Sequence, residues 1–310
     1  MGGSGRRGGF FRDVKPEELR TAIRQQEEKT RDQAFETEVA TELGAIVSEY
    51  NRRDPGKVSA VIDQIKRTLS KEIEGSIDSL YGGSVRKHTF VDGISDVDAL
   101  LILRDPGLES MSPGEVLDYF EGRLHETLTS WEISRGRLGI TVTKGDLQIQ
   151  LLPAIRKGGT TKIASASGDS WSEINPEAFF RHLTRANERA AYKLVPTIKA
   201  AKIINSTQVE ALQLSGYHIE SLAIEAFRGY EGPTNPKAML EHFYDRARKL
   251  VLTPIKDRSG QSVHVDDYLG PPNSESRKAV SSALDRVVRQ MNNANTQRSK
   301  KPWLDLFVDE

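Results

Sequence analysis

Two aspartates, Asp96 and Asp98, stand at the head of an apolar stretch and are the strongest candidates for chemistry in the sequence. Side chains two residues apart on a strand project from the same face, so a strand beginning here would direct both carboxylates to one site. Neighbouring carboxylates repel each other unless a cation lies between them, and hard oxygen ligands suit Mg²⁺ that bridges to phosphates. The pair therefore indicates a magnesium site, although an Asp-x-Asp is also common in polar turns.

A glycine-rich turn precedes this pair. Gly82, Gly83 and Ser84 follow a predicted strand, and eleven residues then separate Ser84 from Asp96. Glycines let phosphate oxygens approach backbone N–H groups, and the serine hydroxyl can donate as well. An ordinary tight turn would explain these three residues alone. The full order of strand, Gly-Gly-Ser, spacer, Asp-x-Asp and apolar strand is much rarer than its parts, and it favours a phosphate-binding turn beside a metal site.

The composition limits the remaining classes of function. In 310 residues, 44 Lys and Arg balance 44 Asp and Glu, so no global charge draws the protein to nucleic acid or to an anionic membrane. We expect no extended nucleic-acid surface and no membrane association. The absence of cysteine excludes disulfides, thiolate zinc sites and cysteine nucleophiles, and it fits a soluble cytoplasmic protein.

Two kinds of periodicity divide the chain. Apolar residues at three- and four-residue steps predict helices at 16–50 and 57–74. Short β-branched stretches predict strands at 76–81 and 97–103, and residues 138–152 predict a hairpin. Caps and periodicity predict further helices, and beyond Trp171 the chain is expected to be almost wholly helical. These helices lie at 112–130, from 175, at 193–206, at 215–229, from 235 and at 273–295.

The order of helices, a small sheet and more helices is typical of an α+β fold with a cleft between two lobes. We predict a flexible tail at 1–15, because its Gly, Arg and Ser residues bury little surface. Residues 16–170 are expected to hold the N-terminal helices and the catalytic sheet. Residues 171–310 are expected to form the helical C-terminal lobe.

The glycine turn and the Asp-x-Asp resemble the signature of the polymerase-β-like nucleotidyltransferases. Four further motifs narrow the resemblance to the oligoadenylate synthetases and the bacterial cGAS/DncV-like nucleotidyltransferases (CD-NTases). They are Leu151-Leu152-Pro153-Ala154, Lys199 to Lys202, Ser215 to Glu220, and Val265 to Gly270. The resemblance covers roughly residues 76–295.

This resemblance implies a bilobed polymerase-β-like core with a small mixed sheet and a helical C-terminal lobe. It also implies Mg²⁺, with Mn²⁺ as an alternative, held by Asp96 and Asp98. Nucleoside triphosphates would be the substrates, and a cyclic or linear oligonucleotide that signals in antiphage defence would be the product. A regulatory or effector protein is a further expected partner.

One position departs from the family pattern. Related enzymes carry a third metal-binding aspartate directly before the apolar pair and Pro-Ala, where this chain has Gln150. Asp146 shares a predicted strand face with Gln150 but lies four residues away, about 13 Å at roughly 3.4 Å per residue. Gln150 would then bind as a neutral amide, Asp146 would enter by a different register, or the metal on the nucleophile side would be weak.

Four residues of the helical half are candidates for substrate contact. Lys199 and Lys202 lie on one side of a predicted helix, and the matching region of the resembled enzymes contacts triphosphate. Exposed lysines on a solvated face would look the same. Ser215 would either cap its helix or donate to phosphate. Tyr217 would either stack on a base or pack in the core.

Two further groups have a structural explanation at least as good. His264, Asp266 and Asp267 resemble a metal cluster, but adjacent aspartates point to different sides, so a loop is the better interpretation. The apolar group at 303–307 would either dock on the body or bind a partner.

Two rival functions remain. An enzyme of the same superfamily could transfer nucleotides to RNA or protein, although balanced charge argues mildly against a long RNA substrate. A regulatory module could have kept the fold and lost the chemistry, as Gln150 suggests.

Overall fold

The computed structural model of the chain describes residues 16–50, 61–67, 70, 76–82, 89, 91, 97–104, 106–136, 139–145, 147–165, 168–258 and 264–308. The predicted tail at 1–15 lies outside the described residues, as do parts of the predicted helix at 57–74. Residues 61–67 of that helix are described and are helical. Among the described residues, no helix is long and apolar enough to cross a membrane.

The N-terminal helix α1 (Pro16–Glu49) confirms the first predicted helix. Its 34 residues span about 51 Å at 1.5 Å per residue. Phe35, Val39 and Leu43 in its second half are buried in a core that they share with the C-terminal helices. The helical lobe therefore includes α1, although the sheet follows α1 in the chain.

Seven strands form one mixed sheet within the described residues. They are β1 (Ser76–Gly82), β2 (Val97–Arg104), β3 (Glu132–Arg135), β4 (Ile140–Lys144), β5 (Leu147–Lys157), β6 (Thr160–Ala164) and β7 (Trp171–Ile174). The order is β1-β2-β5-β4-β3, with β6 bonded to both β5 and β7. Strand β5 runs parallel to β2, and the other pairs are antiparallel. The predicted strands and hairpin are confirmed, and β3, β6 and β7 are additional.

One face of the sheet is covered by α2 (Pro113–Thr127), which begins at the predicted capping box. The Ser112 Oγ accepts from the Glu115 backbone N–H at 3.3 Å, and the Glu115 carboxylate accepts from the Ser112 N–H at 2.8 Å. Val116, Phe120 and Leu124 pack from this helix into the core of the sheet lobe.

Strand β7 lies directly before the first helix of the C-terminal half, which begins where the sequence predicts it. Trp171–Ile174 forms strand β7, in which Trp171 pairs with Ala164 and Ile174 with Thr161. The predicted helical lobe at 171–310 therefore begins with four residues that belong to the sheet. Four residues are too few to display a period, and their strand character comes from pairing with β6.

Six helices complete the described part of the helical lobe. They are α3 (Pro176–Arg189), α4 (Leu194–Ser206), α5 (Gly216–Ala226), α6 (Pro236–Leu250), α7 (Glu275–Gln297) and α8 (Lys301–Leu304). Asn175 and Asn235 cap α3 and α6, each accepting from the backbone N–H three residues later, and proline follows each cap. The predicted starts at both Asn-Pro pairs are confirmed.

The apolar C-terminal group docks on the body of the protein. Trp303, Leu306 and Phe307 are buried in the core of the helical lobe. The Trp303 indole N–H donates to the Asn295 Oδ1 at 3.2 Å. Of the two roles left open for this group, the structure therefore supports docking.

Candidate active site

The strand register brings Asp98 and Gln150 together. Their Cα positions are partners on the parallel strands β2 and β5, and Gln150 is also the partner of Thr141 on β4. Residues of β2 and β5 alternate between the two faces of the sheet, as successive residues of a strand must. Leu152 and Ala154 belong to the face opposite α2, so Gln150 lies on that face as well.

The glycine turn leaves β1 at the same level of the sheet. Gly82, the last residue of β1, pairs with Ala99, the residue after Asp98. The end of β1 at Gly82 and the start of β2, which contains Asp98, therefore lie at the same end of the β1–β2 pair. Gly83, Ser84 and Asp96 lie outside the described residues, and the roles predicted for them stay predictions.

Gln150 is half-buried and makes no side-chain hydrogen bond within the part of the chain that the structure describes. Asp146 lies outside the described residues, between the end of β4 at Lys144 and the start of β5 at Leu147. Of these two candidates for the third metal ligand, Gln150 is the one whose register with Asp98 is described. Carboxylate and amide oxygens are the donors that Mg²⁺ accepts, so the chemistry of Asp98 and Gln150 fits the metal that the family implies.

Thr89, which lies between β1 and β2 in the chain, is bonded to a buried ion pair of the helical lobe. The Lys202 ammonium donates to the Glu220 Oε1 at 2.9 Å and to the Thr89 carbonyl oxygen at 3.1 Å, while the Thr89 hydroxyl donates to the same Glu220 oxygen at 2.5 Å. Lys202 and Glu220 are 3% and 1% exposed. The ammonium of Lys202 thus bonds to protein groups and is buried away from solvent.

Lys199 occupies a different environment on the same helix. It is half-buried, and its burial, with the nearby charge of Lys202, lowers its pKa. A phosphate beside Lys199 would oppose both effects because it would stabilise the charged ammonium. Of the two predicted phosphate-binding lysines, Lys199 is the one whose surroundings favour that role.

The N-terminus of α5 faces solvent close to Lys202. Ser215 and Gly216 are exposed, and the Ser215 hydroxyl accepts from the His218 backbone N–H at 3.2 Å. A Cβ on Gly216 would lie 3.3 Å from the Lys202 Nζ, so this glycine gives the ammonium its space. Ser215 therefore caps α5, and the exposed first turn leaves backbone N–H groups that could face a phosphate.

Tyr217 packs against the core and also holds a polar partner. Its ring lies 4.5 Å from that of Phe179, and its hydroxyl donates to the Asp257 Oδ1 at 2.7 Å. The side chain is half-buried. The structure thus shows the packing role, while base stacking by the open part of the ring stays a prediction.

A second buried charge pair lies behind α5. Arg277 donates to the Asp266 Oδ2 at 2.6 Å, and both side chains are fully buried. His218 lies 3.6 Å from the same carboxylate and is bonded through Nδ1 to the Tyr268 hydroxyl at 2.8 Å. Burial lowers the pKa of His218 to about 4, so its imidazole is neutral at pH 7.

The loop interpretation of His264, Asp266 and Asp267 agrees with this arrangement. Asp267 is exposed beside His264, whereas Asp266 turns inward to Arg277. No group of three metal-ligating side chains occurs among the described residues.

Sequence reasoning missed Glu220 and Thr89. A signal for Glu220 was present, because it interrupts an apolar run at 219–224, as Lys202 interrupts the run at 200–204. A charged residue within such a run is buried on a packed helix and needs an opposite charge. Thr89 carried no comparable signal.

Comparison with known families shows which domains resemble the part of the chain that contains this site. Residues 46–187 match the family model of the Second Messenger Oligonucleotide or Dinucleotide Synthetase domain, SMODS. This part of the chain is similar to a SMODS domain. The matched range contains the glycine turn, both aspartates of the Asp-x-Asp and all seven described strands. This range is therefore similar to domains that synthesise nucleotide second messengers. No curated protein matches the chain.

Solved structures share the fold. CdnC of E. coli with ATP superimposes with a TM-score of 0.67 at 13% identity, over 87% of this chain and 96% of that one. The complex of E. coli CdnC with HORMA-deltaN gives 0.63 at 14% identity, over 84% and 90%. DncV of Vibrio cholerae with ATP and GTP gives 0.61 at 10% identity, over 95% and 90%. The predicted bilobed polymerase-β-like fold of the CD-NTases is confirmed.

Proposed function

We propose that this protein is a nucleotidyltransferase that uses Mg²⁺ to join nucleoside triphosphates into a cyclic or linear oligonucleotide second messenger, and that it acts in bacterial antiphage defence in the cytoplasm. The observation that carries the proposal is the register of Asp98 with Gln150, at the end of the sheet where the glycine turn leaves β1. The register supports a metal site at the end of the sheet where β1 ends at Gly82 and β2 begins.

In the proposed reaction, a ribose hydroxyl oxygen forms a bond to the α-phosphorus of a triphosphate while the bond to pyrophosphate breaks. Bound Mg²⁺ would supply charge that lowers the pKa of the hydroxyl and stabilises the pyrophosphate. Asp96 and Asp98 are proposed to hold the metal, with Gln150 as a neutral third ligand and Asp146 as the alternative.

The remaining candidates would position the triphosphate. Gly82, Gly83 and Ser84 would face its phosphates with backbone N–H groups and a hydroxyl. On the helical side, Lys199 and the exposed first turn of α5 at Ser215 would contact the same group. Lys202 is proposed to act indirectly, because its ammonium bonds both to Thr89 and to Glu220 of α5.

A regulatory protein is proposed as a partner. The support is that E. coli CdnC, which shares the fold, has been solved in complex with HORMA-deltaN.

The test is to incubate the protein with the four nucleoside triphosphates and Mg²⁺ and to identify the products by mass spectrometry. We expect a new cyclic or linear oligonucleotide from the wild type and none from Asp98→Asn. Label transferred to added RNA or protein would instead support the transferase alternative. An absence of any product, also with Mn²⁺ and with added candidate regulators, would support a catalytically weak module.

A further inference from the structure

A cavity on the helical lobe lies apart from the candidate active site. It opens between α3 and the C-terminal part of α5 and has a volume of about 240 Å³. Arg185 and Arg189 line it from α3, and Arg228 and Arg258 line it from the other side. Glu225 near the end of α5 also lines it, eight residues from Tyr217, or about 12 Å along the helix.

The cavity carries an excess of positive charge. Four guanidinium groups face one carboxylate, a formal balance of +3. Arg258 donates to the Glu225 Oε1 at 3.0 Å, and the Arg228 Nη1 lies 3.8 Å from the Glu225 Oε2. The only acidic side chain in the lining is therefore shared by two arginines of the same wall.

The positive charge of the opposite wall is not balanced by a described carboxylate. Arg185 and Arg189, one turn apart on α3, form no ion pair with any residue that the structure describes. His182, one turn before Arg185, also lines the cavity, and its burial, then the charges of Arg258 and Arg185, lower its pKa. The imidazole is thus mostly neutral at pH 7. Its one ring N–H can still donate a hydrogen bond to a bound anion.

Guanidinium groups that converge on a concave surface repel each other until an anion lies between them. Their planar N–H pairs match the oxygens of phosphate in a bidentate manner. The volume is below the roughly 300–1,000 Å³ of pockets that enclose drug-sized ligands, so it suits one or two phosphate groups rather than a whole nucleotide.

We propose that this arginine cavity binds a phosphorylated small molecule through its phosphate groups, at a site separate from the candidate active site. Arg185 and Arg189 supply the uncompensated wall, and Arg258, oriented by Glu225, supplies the other. The proposal rests on the helical lobe alone and holds whichever product the sheet lobe makes.

Isothermal titration of inorganic pyrophosphate into the whole protein tests this proposal, with EDTA present to suppress metal-dependent binding at the sheet. We expect the double variant Arg185→Gln/Arg189→Gln to bind pyrophosphate at least tenfold more weakly than the wild type. The charge-matched control is Arg246→Gln/Arg286→Gln, which removes two exposed arginines of α6 and α7. This control should retain wild-type affinity, and Lys199→Gln reports separately on any pyrophosphate bound at the candidate active site.

Three results would overturn the proposal. Equal weakening in both double variants would mean that pyrophosphate follows net charge alone. Weakening in Lys199→Gln but not in Arg185→Gln/Arg189→Gln would place the pyrophosphate at the candidate active site. Binding of a short poly-glutamate peptide, without measurable pyrophosphate binding, would assign the cavity to an acidic protein segment. Because all four substituted arginines are exposed, matched thermal unfolding curves are expected and would exclude misfolding.

Discussion

Polar side chains at the end of the sheet and polar side chains in the core of the helical lobe differ in whether they have partners within the protein. At the end of the sheet, Gln150 is half-buried and bonds to no described side chain, and its register partner is Asp98. In the helical lobe, Lys202 and Glu220 are buried and satisfy each other. Polar groups left open at the sheet are available to a ligand, whereas those closed in the helical lobe hold the structure in place. Substitution of Asp98 or Gln150 should therefore affect chemistry, whereas substitution of Lys202 or Glu220 should affect stability.

The largest effect is expected at the Asp-x-Asp. Asp98→Asn and, separately, Asp96→Asn should lower the rate of product formation by at least about 100-fold, because each removes a negative charge from the metal site with little change of volume. Thermal unfolding should be unchanged. Rates are measured as pyrophosphate release from nucleoside triphosphates. Near-normal turnover in both variants would remove the sheet from the mechanism.

The two lysines of α4 give a matched pair for the comparison. Lys202→Met should lower the free energy of unfolding by about 3–5 kcal/mol, because it leaves Glu220 buried without a counter-charge. Lys199→Met should change stability by less than about 1 kcal/mol, since Lys199 is only half-buried, but should raise the KM for triphosphate. Urea unfolding and steady-state kinetics separate the two effects. The reverse assignment would mean that Lys202 leaves Glu220 to bind substrate.

His218 gives the helical lobe a pH dependence. Its pKa of about 4 lies below the usual 6.5, so the unfolded chain binds more protons than the folded one between these values. Stability should therefore fall as the pH falls from about 6.5 towards 4, by about 2–3 kcal/mol at 1.36 kcal/mol per unit. Urea unfolding of the wild type and of His218→Asn across this range measures it. A loss of the same size in the variant would assign the effect to other groups.

Ser84 should show the smallest effect. Ser84→Ala is expected to weaken triphosphate binding by roughly 1 kcal/mol or more, the usual size of one hydrogen bond to a charged group. Titration of a non-hydrolysable nucleotide into both proteins measures the change. Unchanged affinity would indicate that the turn binds phosphate through its backbone alone, or not at all.

The sequence predicted the elements that have local signals. The Asn-Pro caps set the starts of α3 and α6, and the Ser112 capping box set the start of α2. The strands around the glycine turn followed from short apolar runs. Strands β3, β6 and β7 have only four or five residues each, and their strand character depends on neighbours that a single run does not reveal.

Side-chain contacts between residues far apart in the sequence were harder to predict. Lys202 and Glu220 are 18 residues apart, and Thr89 and Glu220 are 131 apart. A lysine that binds phosphate and a lysine that binds a buried glutamate look alike in sequence, so Lys199 and Lys202 could not be told apart. By contrast, the apolar pair and Pro-Ala after Gln150 fixed where that residue would lie in the strand.

The central claim is that Gln150, as the register partner of Asp98, contributes to the metal site. The most direct measurement is the Mg²⁺ concentration that gives half-maximal product formation, compared between the wild type and Gln150→Asp. A neutral amide oxygen holds Mg²⁺ less firmly than a carboxylate, so Gln150→Asp should lower this concentration. Gln150→Ala should impair activity more than Asp146→Ala. An unchanged metal requirement in Gln150→Asp, with Asp146→Ala inactive and Gln150→Ala normal, would contradict the account and make Asp146 the third ligand.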